Sequence, residues 1–80
     1  MKYMVIWTKN AQDKLAELWL NAVDRKAVEQ AANQIDLILT RSPETKGQDF
    51  YGDRILTIAP LNVVFNVETQ DLRVQVIDVW

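Results

Sequence analysis

Between Leu61 and Val79, apolar and polar residues alternate in two runs separated by the polar stretch Glu68–Asp71. Period-two spacing is that of a strand with one covered face, and two such runs across a short polar turn form an antiparallel hairpin. With Thr69 and Gln70 as the turn, Val67 faces Leu72, Phe65 faces Val74 and Val63 faces Val76. All six apolar side chains then share one face, and Asn62, Asn66, Arg73 and Gln75 fall on the other. A one-residue slip would pair apolar with polar across the ladder. A sheet of this kind needs a cover for its apolar side.

The chain upstream supplies one. Ala11, Leu15, Leu18, Trp19 and Ala22 recur at helical spacing, and so do Val28, Ala31, Ala32, Ile35, Ile38 and Leu39. Asn10, with Asp13 three residues on, is the expected N-cap of the first helix, and Asp24 that of the second. Ser42-Pro43 ends the second helix, since proline disfavours helix at the residue before it. Ahead of both lies Tyr3–Trp7, apolar on both faces and read as a strand within the sheet. Residues 42–53 hold both glycines and read as one polar loop. Arg54–Ile58 is a strand, turning at Pro60 into Leu61–Val67. The expected order is β-α-α-β-β-β: an α+β fold in which a helical hairpin packs on a small antiparallel or mixed sheet. It forms a single domain over residues 1–80, with Trp7 and Trp19 in its core.

Composition narrows the chemistry. A chain of 80 residues buries only about 60–65% of its unfolded surface, so its core is small. Cysteine and histidine are both missing, which excludes disulfides, the usual zinc sites and Ser/His or Cys/His nucleophile pairs. No cofactor and no metal is expected. The apolar run near the N-terminus is too short for a signal peptide or membrane span, so the expected location is the cytoplasm, without a membrane partner. Nine basic residues against eleven acidic give a net charge of −2, whereas a protein gripping many phosphates carries a positive excess.

The ordered set of features resembles the RelE/ParE toxins of type II toxin–antitoxin systems, the plasmid-stabilisation-like proteins. The features are a first helix with Ala11, Leu15, Leu18 and Trp19, then a second with Ala31, Ala32, Ile35, Asp36 and Leu39 ahead of Pro43. Next come Gly47 in the loop, Arg54 and Leu56 in the following strand, Pro60, Leu61, Val63, Phe65 and Val67, and a closing Val74-x-Val76. The resemblance spans the whole chain and rests on order rather than on any one motif. It implies a toxin neutralised by direct binding of a cognate antitoxin. RelE-like members cleave messenger RNA on the ribosome, and ParE-like members poison DNA gyrase. In the cleaving members basic residues hold the phosphate. Here Asn62 stands where an arginine usually opens the third strand, Leu56 takes the place of a second basic residue, and the sequence ends at Trp80 ahead of an Arg/Tyr-bearing tail.

What the resemblance leaves for catalysis is Arg54 and Arg73. Arg54 reads equally as a strand-end arginine paired with Asp49, Asp53 or Asp78. Lys46, Tyr51, Asn62, Asn66 and Gln75 are the expected target surface, although a half-solvated sheet has such a polar face by default. Tyr51 and Phe50 read also as the apolar anchor of their loop. Leu20 and Leu37 lie opposite their helices' main stripes and, with Trp80, suit contact with an antitoxin or with a second copy in a homodimer. The expected function is the toxin component of a type II toxin–antitoxin pair. The alternatives are an active ribosome-dependent mRNA endoribonuclease using Arg54 and Arg73, and a non-enzymatic gyrase-directed poison or a decayed, non-toxic binding module.

Overall fold

A computed structural model describes residues 2–80. Its elements are β1 (Met4–Trp7), α1 (Lys9–Asn21), α2 (Arg25–Arg41), a 3-10 turn at Pro43–Thr45, β2 (Gln48–Phe50), β3 (Asp53–Ile58), β4 (Leu61–Glu68) and β5 (Arg73–Val79). The strands form one sheet in the order β1-β5-β4-β3-β2. β1 runs parallel to β5, and every other pairing is antiparallel. Both helices cover one face, α1 over β5 and β1, and α2 over β1, β3 and β4. The α+β architecture is therefore as expected, with one strand more. Residues 42–53 contain β2, which pairs with β3 through a two-residue turn, Tyr51-Gly52, whose φ angles are both positive (50° and 90°). Two left-handed residues in a row match the twist of a tight hairpin. A tyrosine at the first of them is what hides the turn from a sequence reading.

The core lies between the helices and the sheet. Ala11, Val28, Ala31, Ile35 and Leu39 meet Leu61, Val63, Phe65, Val74, Val76 and Val79, all buried. Both apolar stripes therefore face the sheet, although Ala11 is the only residue of α1 fully shut away.

Four local expectations need correction. The β4–β5 register differs from the one anticipated, by two residues where Val67 faces Val74 and Phe65 faces Val76, and by three beyond a bulge, where Val63 faces Val79. A two-residue shift preserves the faces, so the valines stay inside. The turn is longer because Leu72 adopts a left-handed conformation (φ 49°) and its carbonyl accepts from the Met4 amide at 2.8 Å. Pairing with β1 thus holds Leu72 out of the ladder. Secondly, α1 is capped by Thr8 and not Asn10: Thr8 Oγ1 accepts from the Ala11 amide at 3.2 Å. Asp24 caps α2 as anticipated. Thirdly, Trp7 and Trp19 are only half-buried. Lastly, Tyr51 is 95% exposed and anchors nothing.

Near its end β5 bulges, with Val64 opposite Asp78 and Phe65 opposite Val76, leaving Ile77 unpaired. A bulge frees a carbonyl. Here the Ile77 oxygen accepts from Thr8 Oγ1 (3.3 Å) and Asn10 Nδ2 (3.1 Å). One threonine thus caps the first helix and holds the last strand. Beside it Lys14 Nζ donates to Asp78 Oδ1 at 2.7 Å, which holds the Asp78 carboxyl below its ordinary value.

Two predictions follow from this corner. Thr8→Ala should cost about 1–2 kcal/mol in urea denaturation, the range of a lost N-cap, and Thr8→Ser should recover most of it. Because folding lowers the Asp78 pKa, the Lys14 contact stabilises above the unfolded carboxylate value of about 3.9 and is lost as pH falls through the folded value. Lys14→Met should therefore flatten the acid side of the stability–pH profile. An unchanged profile would mean the contact is not held in solution.

Candidate functional site

Two regions could carry function: the sheet face turned away from the helices, and a groove beside β1.

Register decides what the sheet face contains. Antiparallel partners point to the same side. Arg54 pairs with Phe65, which is fully buried beneath the helices, so Arg54 lies on the helix side of the sheet. Arg73, Gln75, Asn66 and Asn62 occupy the opposite side. The two candidate arginines therefore lie on different faces of the sheet. Arg54 is engaged where it stands. Its Nε donates to the Lys46 carbonyl at 2.7 Å, Nη2 to the Gly47 carbonyl at 3.1 Å, and Nη1 to Asp49 Oδ1 at 3.3 Å. These contacts press the 46–49 segment against β3, where a Cβ on Gly47 would lie 2.6 Å from the Ile55 oxygen. With φ at +78° as well, only glycine fits at 47.

On the open face Arg73 Nη2 bonds to Glu68 Oε2 at 2.7 Å and lies 3.8 Å from Asp71. Asn62 accepts from the Thr57 hydroxyl (2.8 Å) and donates to the Trp80 carbonyl (3.3 Å). Asn66 stands opposite Gln75 in the ladder, and its Oδ1, like Arg73 Nε, is buried without a partner. Lys46 is exposed. Tyr51 projects from its turn with Phe50 edge-on at 4.9 Å between centroids. The target surface anticipated from sequence is thus divided between this face, the β2–β3 tip and the Arg54-bound loop. Among the described residues no group of three or more potential metal-ligating side chains occurs, and no helix is long and apolar enough to cross a membrane.

The groove is the larger feature, at about 860 Å³. Val5 and Trp7 of β1 form its floor, Leu15, Ala16 and Trp19 of α1 one wall, and Val28 and Ala32 of α2 the other. β1 is an edge strand, paired on one side only. On its open side the Trp7 carbonyl already accepts from Gln12 Nε2 at 2.7 Å and the Tyr3 amide donates to the Thr40 carbonyl at 2.8 Å, which leaves a short free edge around Val5 beside the groove. The rim is polar: Gln12, Asn33, Glu29 and Asp36. Each tryptophan is tied to a rim acid, Trp7 Nε1 donating to Asp36 Oδ1 (3.3 Å) and Trp19 Nε1 to Glu29 Oε2 (3.1 Å). An indole with a wet N–H and an apolar body suits a surface of this kind. Behind Trp19, Arg25 stacks on the ring at 4.6 Å and donates to the Trp19 and Leu20 carbonyls that end α1.

Sequence reasoning assigned the walls of this groove to the core. Helical periodicity marks a side as apolar without saying whether the neighbouring element covers it. The tryptophans carried the available signal, because an indole N–H must find an acceptor, and Glu29 and Asp36 are carboxylates on the same helix. Leu20, Leu37 and Trp80 are exposed (59, 50 and 46%), yet none lines the groove. Trp80 borders a separate shallow depression with Lys14, Glu17 and Leu18.

Neither any family model nor any curated protein sequence matches the chain. Solved structures do match in fold. The toxin–antitoxin complex RelBE2 from Mycobacterium tuberculosis contains a chain with TM-score 0.80 and 15% identity, the match covering 99% of this chain and 96% of that one. The chromosomal ParDE toxin–antitoxin system of P. aeruginosa gives 0.74 and 17%, covering 98% and 94%. A mutant of the E. coli toxin RelE in the free state gives 0.70 and 18%, covering 99% and 82%. The chain has the RelE/ParE toxin fold.

Arg54→Ala should cost about 1.5–3 kcal/mol, the range for hydrogen bonds to a charged group. Arg54→Lys, which cannot span both carbonyls, should speed amide exchange at residues 46–49. Unchanged exchange there in both variants would show that the loop is held by other means.

Proposed function

We propose that this chain is the toxin component of a type II toxin–antitoxin pair, neutralised in the cytoplasm by direct binding of its antitoxin. The observation that carries this reading is an apolar groove beside an unpaired strand edge, on a fold shared with chains of the RelBE and ParDE toxin–antitoxin complexes. A free edge offers backbone pairing and a groove offers apolar anchoring, the two means by which folded proteins take up a peptide segment.

Within this reading the toxin acts on its target by binding rather than by cutting RNA. In-line attack on a phosphodiester needs the developing phosphate charge neutralised by groups aimed at one point. The division of Arg54 and Arg73 between the two faces favours the binding reading, as do the carbonyls and carboxylates that already engage both guanidinium groups.

Expression of the chain should arrest bacterial growth, and co-expression with the product of the neighbouring short reading frame should restore it. A DNA-damage response with intact messenger RNA is the expected signature of a gyrase-directed binder. Transcripts cut at ribosome-bound codons would replace the binding reading by the ribonuclease one. Normal growth at verified expression would remove the toxin assignment itself.

A further inference from the structure

The groove is acidic as well as apolar, and its acids have a spacing. Its lining contains Glu29 and Asp36 and no lysine or arginine. Both acids belong to α2, seven residues apart, so they stand on one face two turns, or about 10.5 Å, from each other. Each already accepts one indole N–H, but an ionised carboxylate has about four acceptor positions and can take a cation in addition. Both are exposed at the rim, while the apolar surface lies below them.

We infer that the groove selects an amphipathic, basic helix: a segment whose apolar stripe fills the space between Trp7 and Trp19 and whose cations, seven residues apart, reach Asp36 and Glu29. The inference rests on the antitoxin reading for the identity of the partner and adds the chemistry of the segment it must supply. Spacing favours a helix over a strand. On a helix, positions i and i+7 share a face about 10.5 Å apart and match the two acids. An extended segment covers about 10 Å in three residues, which places the two side chains on opposite faces. Two or four residues restore the face but give about 6.6 or 13 Å. Charge sets the sign, since an acidic segment would bring like charges against both rim carboxylates.

The test uses synthetic peptides of about 18 residues, long enough to hold a helix once packed, labelled for fluorescence anisotropy against the intact protein. One carries a leucine stripe flanked by arginines seven positions apart. A second has glutamates in those two places, and a third has the same composition with the arginines five apart, off the shared face. The matched arginine peptide should bind at least tenfold more tightly than either control at low salt. Glu29→Gln and Asp36→Asn should each weaken it about threefold, and together about tenfold, the scale of partly exposed ion pairs. Added salt should narrow these differences. Equal binding of the glutamate or off-register peptide, indifference to the double variant, or no binding of the matched peptide would each overturn the inference. Growth arrest by the wild-type chain alongside any of these results would leave the toxin reading in place. Selective peptide binding without growth arrest would uphold the groove chemistry and remove the toxin.

Discussion

The parallel pairing of β1 with β5 is the constraint on which the remaining structure hangs. Parallel neighbours cannot be joined by a tight turn, and the chain between them must cross over the sheet. Here the helical hairpin makes that crossing, which is why both helices lie on one face. The same pairing extends from β1 into the β4–β5 turn through the Leu72 carbonyl, and a few residues later the Ile77 bulge receives Thr8 and Asn10. The start of the chain and its last strand are thereby held at both ends of β1. The hairpin in turn leaves β1 as an edge with an apolar trough alongside. Groove and topology are one fact seen from two sides.

The two faces of the sheet divide the chemistry. The helix side takes the aliphatic core and, at its margin, Arg54, whose guanidinium serves carbonyls that the glycine-bearing loop would otherwise leave unpaired. The open side keeps asparagines, a glutamine and an ion-paired arginine. Because side-chain direction alternates along a strand, register rather than proximity in sequence decides which residues can cooperate.

Element order and the covered faces were legible in the sequence because periodicity reports them directly: Val63, Phe65, Val74 and Val76 are inside, as are Val28, Ile35 and Leu39. The details that escaped depend on contacts between distant residues. The β4–β5 register is set by β1 through Leu72, and the α1 cap by a threonine that also answers the Ile77 carbonyl. Neither signal is local. β2 escaped because its three residues have no alternation to show, and its turn places Tyr51 where asparagine or glycine would announce a hairpin. The groove escaped because a stripe that half-covers a groove and one that fills a core share the same spacing.

The union of the first and last strands has a consequence in time. During synthesis the helical hairpin can emerge and coil, but β1 has no neighbour to pair with until β5 has been made. Contacts spanning nearly the whole chain form late and slowly. The trough between Trp7 and Trp19 therefore comes into being only once β5 has been made. Until then α1 and α2 have no strand floor beneath their two walls.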